Sequence, residues 1–215
     1  MKKYLLLYTL ISVQFLYCQE KIIQKRKMLV NELEVVTYGL DDIVIENSKS
    51  NELEVILLDE NPHTHNILFK KEGEVLTIVF ELNIPTLKNE VFRKYITRRL
   101  ERARAVIKVP KNKHINIHGK TIGVNSKSYA GDIDVYIERG NIKLNTIERN
   151  VNARLFQGNV FAKITSKSTL DLKTNNGTIF INGEKKESPF SQENLSTSKK
   201  LTINSIHANI NIELE

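Results

Sequence analysis

Apolar–polar–apolar triplets recur between Ile115 and Ile181 in two interleaved series of nearly constant period. Ile115-Asn-Ile117, Ile133-Asp-Val135, Val151-Asn-Ala153 and Leu170-Asp-Leu172 form the first. Ile122-Gly-Val124, Ile142-Lys-Leu144, Val160-Phe-Ala162 and Ile179-Phe-Ile181 form the second. Both keep a step close to the period of about 20 residues that marks a solenoid. Alternation of period two puts one side of a strand in a core and the other in water. A single triplet cannot bury its apolar side alone. Two series in joint register therefore predict stacked rungs, like residues lying above one another about 4.8 Å apart. The polar stretch 184–200, with Pro189, reads as a loop inserted in the last rung. Leu201-Thr-Ile203 and Ile210-Asn-Ile212 then complete both series, with Ala208 where glycine stood before.

Glycine supplies the corners. Gly140, Gly158 and Gly177 each stand two residues before a second-series triplet, and Gly131 does the same for Ile133. A tight corner calls for positive φ, which glycine adopts without a Cβ clash. The expected fold class is all-β, a parallel β-solenoid of two-strand rungs over residues 105–215. The competing architecture is an antiparallel sandwich with strands about 8–12 residues apart, which has no need of two ladders in register.

Residues 1–18 read as a signal peptide. Lys2 and Lys3 precede a short apolar run, Leu5 to Leu16. A membrane span needs about 20 apolar residues. Cleavage is expected beside Cys18, and the bulky Tyr17 before it argues against a lipoprotein signal. Losing Cys18, the only cysteine, leaves no disulfide, thiol nucleophile or thiolate metal site. The mature protein is expected outside the inner membrane, in the periplasm or at the cell surface with the outer membrane. Removing Lys2 and Lys3 lowers the formal charge from +7 to +5. A basic exported protein meets anionic glycans or membrane surfaces more readily than nucleic acid.

Residues 28–104 read as an N-terminal β region that packs on or caps the first coil, since an uncovered end exposes edge strands. Asn31-Glu-Leu-Glu-Val35 recurs letter for letter as Asn51-Glu-Leu-Glu-Val55. Residues 83–104 interrupt the β pattern with a basic insertion. Arg93, Lys94, Arg98, Arg99, Arg102 and Arg104 stand among Val91, Tyr95, Ile96 and Leu100. A short amphipathic helix and a basic loop both fit. The segment is either solvated charge or a patch for lipid head groups or acidic sugar. Nucleic acid is not expected, because only Phe92 and Tyr95 are near enough to stack on bases. Ala105 to Pro110 restores the strand pattern and leads into the repeat.

Candidate chemistry is sparse. No Gly-x-Ser-x-Gly, P-loop or His-Glu-x-x-His motif is present, and no catalytic residue, cofactor or metal is expected. His63-Thr-His65, near Asp59 and Glu60, lacks the further ligands zinc requires and reads as an exposed loop beside Asn61-Pro62. Asp132 and Asp134 share an outward face, with Asp171 expected two rungs above. Polysaccharide lyases and hydrolases use carboxylates on such faces. Here the column also holds Asn116, Asn152 and Arg154, which makes a polar ladder rather than an acid–base pair. Phe161 and Phe180, one period apart, are expected to point outward on adjacent rungs. They would form a sugar- or protein-binding surface, or stack for stability alone.

With its leader, the run Ala105-Val-Ile-Lys-Val-Pro110 and the Gly-Asn/Asp/Thr corners at Gly131, Gly140, Gly158 and Gly177, the chain resembles exported bacterial adhesin-like β-repeat proteins. These are the GIN-type auto-transporter adhesin head domains and related domains of unknown function. The resemblance spans roughly residues 30–214. It implies a right-handed β-solenoid on the exported side of the inner membrane and carries over no catalytic residue. The basic segment and the low glycine content depart from the pattern. The functions that follow are a non-catalytic adhesin-like module for an anionic glycan or an envelope protein, a periplasmic signalling or structural partner docked on anionic lipid by the basic segment, or a polysaccharide-acting enzyme.

Overall fold

The computed structural model describes residues 20–59, 65–82, 103–194 and 199–215. The signal peptide, His63, and Arg93, Lys94, Arg98, Arg99 and Arg102 of the basic insertion lie outside the described residues.

The described chain is all-β, in a large, mixed and mostly parallel sheet. The N-terminal strands are β1 (Glu20–Lys27), β2 (Glu32–Val36), β3 (Asp42–Asn47), β4 (Glu52–Asp59), β5 (His65–Glu72) and β6 (Val75–Leu82). Next come β7 (Ala103–Val109), β8 (His114–Thr121), β9 (Gly123–Ser126), β10 (Asp132–Leu144) and β11 (Val151–Ile164). The C-terminal strands are β12 (Thr169–Thr174), β13 (Ile179–Ile181), β14 (Glu184–Lys186), β15 (Phe190–Gln192) and β16 (Lys200–Leu214).

The two triplet series become two faces of parallel strands. On the first face the order is β6, β2, β8, β10, β11, β16, β12. On the second it is β7, β3, β9, β10, β11, β16, β13. The long strands β10, β11 and β16 run through both faces. Like residues pair as the repeat requires: Ile133 faces Val151 and Ile115, and Ile142 faces Val160 and Val124. Antiparallel strands border both ends. β5 lies on β6, β4 on β7 and β1 on β4. At the other end β15 lies on β12 and β14 on β13.

Chain order and spatial order differ at both ends. β2 and β3 lie inside β6 and β7. β16, expected as the final rung, lies between β11 and the pair β12 and β13. The steps from Val151 to Leu170 and from Val160 to Ile179 thus do not join neighbours. Strand length explains the exchange. β11 is an unbroken strand of 14 residues and β16 one of 15, so they pair from Val151↔Leu201 to Ile164↔Leu214. β12 and β13 are 6 and 3 residues long and interrupted by a turn, so they leave part of any partner uncovered. Placing the long strand inside satisfies more backbone groups. The stretch after Gly183 is not only a loop, since it supplies β14 and β15, which cover the short strands.

Of the four glycines expected at corners, Gly140 and Gly158 have positive φ; Gly131 and Gly177 do not, and stand instead where a Cβ would meet the Lys113 and Ala208 carbonyl oxygens at 2.3 and 1.8 Å. Gly140 and Gly158 both have φ of 146°, and a Cβ on Gly158 would sit 1.7 Å from the Gly140 carbonyl oxygen. Ala208 pairs with Gly158 in the next rung. Beside this corner Asn159 donates a side-chain hydrogen bond to Asn141 Oδ1 at 2.9 Å, an asparagine ladder on the outer surface. Inside, the inward residues of both faces form one apolar core that includes Leu33, Ile43, Ile115, Val135, Ala153, Leu172, Ile203 and Ile210. Tyr129 closes it on the turn side. Its hydroxyl donates to the Pro110 carbonyl at 2.8 Å, and burial pushes its phenol well above the usual range.

At the β1 edge the outward Glu54 carboxylate accepts from Lys108 at 3.1 Å and lies 3.4 Å from Lys25. The Lys108 hydrogen bond holds its carboxyl below the ordinary value of 4.5, against a smaller opposing effect of burial. A lowered folded pKa stabilises the native state above the unfolded pKa, and that contribution fades as pH falls through the folded value. Glu54→Gln is therefore expected to cost at most about 1 kcal/mol near neutrality. The difference from the parent should shrink as pH drops below 4.5, as read by urea midpoints at several pH values.

Candidate functional site

The second face presents its outward residues as columns across the strands. Phe161 lies beside Asn211, and Asn211 lies beside Phe180. The two phenyls therefore stand two strand steps apart, about 9.6 Å, and not on adjacent rungs. The insertion of β16 separates them and places an amide between them. Phe161 is 46% exposed and Phe180 is half-buried. Both line an open groove of about 720 Å³, with Lys143, Lys163, Asn211 and Glu213 around them. Lys163 pairs with Glu213 at 2.5 Å, a contact that raises the lysine's pKa. Two separated aromatic surfaces with a polar group between suit a ligand whose faces are apolar and whose edges carry hydroxyls.

The carboxylates of the first face are engaged and dispersed. His114 Nε2 lies 3.1 Å from Asp134, and Asp132 accepts the Asn150 amide at 3.0 Å. Asp171 lies 3.9 Å from Lys200. In register Asp134 is followed by Asn152, Thr202 and then Asp171, so the expected two rungs are three. Asn116, donating to Glu32 at 2.6 Å, completes a polar ladder.

His65 corrects the expectation of an exposed loop. It begins β5 and is fully buried, with Nδ1 3.0 Å from Asp59 Oδ2 and Nε2 2.8 Å from the Gly39 carbonyl oxygen. Its backbone amide also donates to Asp59 at 3.1 Å. The pair ties the end of β4 and the start of β5 to the turn at Gly39, which is a structural task. Among the described residues no group of three or more His, Cys, Asp or Glu is placed to hold a metal ion.

Sequence reasoning missed an aromatic cluster on the first face. His118 and Tyr136 stack at 5.3 Å, and the Arg154 guanidinium lies 5.7 Å from the Tyr136 ring centre. Phe156 is 48% exposed and meets His207 edge-on at 5.2 Å. The signal was available, since Tyr136 and Arg154 stand one period apart, but it needs the register to be read beyond the apolar triplets.

No protein-family model matches the sequence, and no curated protein matches it either. Solved structures do. A candidate adhesin from Bacteroides fragilis aligns over 92% of this chain and 98% of its own, at 12% identity and a TM-score of 0.32. A candidate cell adhesion protein from Clostridium sporogenes aligns over 92% of this chain and all of its own, at 12% identity and a TM-score of 0.65. At that identity and score, the chain shares the fold of the Clostridium sporogenes protein.

Proposed function

We propose that the chain is an exported, non-catalytic adhesin-like binding module, built as a right-handed β-solenoid of two-strand rungs and working in the periplasm or at the cell surface. The observation that carries this reading is the groove holding Phe161 and Phe180 on either side of Asn211. Apolar rings left in a groove are unfavourable in water unless a partner covers them. The shared fold with a candidate cell adhesion protein and the signal-peptide pattern at residues 1–18 support the same reading. Asp132, Asp134 and Asp171, each with a partner and spread over three strand steps, favour a ladder over a reaction centre.

The test is a pair of substitutions, Phe161→Ala and Phe180→Ala, in the purified protein. Each side chain lies on the outward face, so each is expected to change stability by no more than about 1 kcal/mol. Binding to a glycan array or to envelope fractions is expected to weaken about tenfold or more for each. Unfolding of both variants would assign the rings to stability, and unchanged binding would remove the groove from function.

A further inference from the structure

The groove's aromatic pair belongs to a longer column. Lys143 is the register partner of Phe161, Phe161 of Asn211, Asn211 of Phe180, and Phe180 of Lys185. Five neighbouring strands thus present Lys, Phe, Asn, Phe and Lys on one face. Four strand steps of about 4.8 Å make the column roughly 19 Å long. The row runs on past Lys143 to Asn125 of β9, and these five positions are the stretch that carries both the rings and the ammonium groups. The order arises because β16 supplies the central asparagine and β14, running antiparallel, supplies the last lysine.

Charge on this column is uneven in a useful way. Lys163, beside it, is neutralised by Glu213 at 2.5 Å, and Lys186 and Glu184, on the other side of β14, pair with each other at 2.8 Å. Among the described residues no carboxylate pairs with Lys143 or Lys185. A terminal ammonium that lacks a counter-charge, next to an aromatic platform, suits a ligand with an anion beside an apolar ring face.

We propose that the column binds a linear hexuronate polysaccharide laid across the strands. Sugar rings stack on Phe161 and Phe180, Asn211 hydrogen-bonds hydroxyls between them, and ring carboxylates meet Lys143 and Lys185. This inference rests on the proposed binding function and adds the class of ligand. An anionic lipid surface fits less well, because the phenyls line a groove instead of projecting from a convex patch.

The experiment is calorimetric titration of the purified protein with an oligogalacturonate and with an uncharged cello-oligosaccharide of equal length, at low and high salt. Tighter binding of the acidic chain is expected. Lys143→Gln and Lys185→Gln should each weaken it about threefold and leave the neutral chain unaffected. Phe161→Ala should weaken both. Added salt should erase the acidic preference and retain the aromatic contribution. Equal binding of the two chains, with no effect of the lysine variants, overturns the hexuronate assignment while the binding function stands. Acidic binding that ignores Phe161→Ala overturns the column itself. Absence of acidic binding under both salt conditions also overturns the proposal, and binding to anionic vesicles in its place would assign the face to lipid.

Discussion

Replacing Gly158 by alanine is expected to lower stability by at least ~3 kcal/mol. Two costs combine. The backbone at φ 146° is one that a side chain rarely adopts, and the new Cβ would lie 1.7 Å from the Gly140 carbonyl oxygen. That carbonyl is backbone of the adjacent rung, so it cannot move without shifting the parallel register of β10 on β11. Gly73→Ala is the control. Gly73 also has positive φ, at 57°, but nothing lies within 4 Å of its would-be Cβ. Its cost should be only the left-handed penalty of about 1–2 kcal/mol. Chemical denaturation midpoints of the two variants make the comparison. If Gly158→Ala were no worse than Gly73→Ala, the corner would tolerate a side chain and the close approach of the rungs would not matter. Ala208, which pairs with Gly158, shows what the next rung does instead: its own backbone is outside the positive-φ region, and it keeps a small side chain in the core.

The inward ladders were legible because their signal is redundant. Ile133, Val135, Val151 and Ala153 repeat with one period, and Ile142, Leu144, Val160 and Ala162 repeat with the same one. Both groups are buried where the alternation places them. Spatial order was not legible. Any strand of the right pattern can pair with any other, and the apolar triplets of β12 and β16 are interchangeable as patterns. Length and continuity decide between them, and these depend on turns after Thr174 that periodicity does not report. The repeated pentapeptide makes the same point locally. Glu32 to Val35 runs parallel to β8 in the interior of the stack, whereas the identical Glu52 to Val55 runs antiparallel to β7 near its edge. Identical residues bury identical sides, and their surroundings choose the partner.

The same distinction applies to the site. That Phe161 and Phe180 point outward follows from alternation alone. Their spacing follows from the position of β16, and an error of one rung turns a stacked pair into two separate platforms. His65 shows the opposite failure. A histidine beside Asn-Pro in a polar stretch suggests a loop, yet the Asp59 carboxylate and the Gly39 carbonyl together satisfy both ring nitrogens and the backbone amide. Burial is tolerable when every polar atom has a partner, and partners distant in sequence leave no local mark.

Ending the chain at Lys199 is expected to collapse the C-terminal part of the sheet rather than trim it. In a stack that followed chain order, loss of residues 200–215 would remove one terminal rung and expose one new edge. Here it removes an interior strand. β11 loses one of its two partners along both faces and keeps β10, while β12 and β13 lose the only parallel strand they pair with among the described residues. Leu201, Ile203, Ile210 and Ile212 are all buried. At about 2 kcal/mol of apolar burial each, their loss is on the order of 8 kcal/mol, comparable with the full stability of an ordinary domain, about 5–15 kcal/mol. Hydrogen exchange should therefore show protection lost over Thr169 to Gln192 and reduced over Val151 to Ile164, with His114 to Leu144 least affected. The contrary result is informative. Undiminished protection of Thr169 to Ile181 would mean that Leu170 and Ile179 had closed directly onto Val151 and Val160, the neighbours their spacing in sequence suggests. A point change separates the two cases without deleting a strand. Ile210 sits between Val160 and Ile179, so Ile210→Asp buries an unpaired charge on both sides and should destabilise by more than about 3 kcal/mol. A terminal Ile210 would have only one neighbour to disturb and an open side through which the carboxylate could reach water.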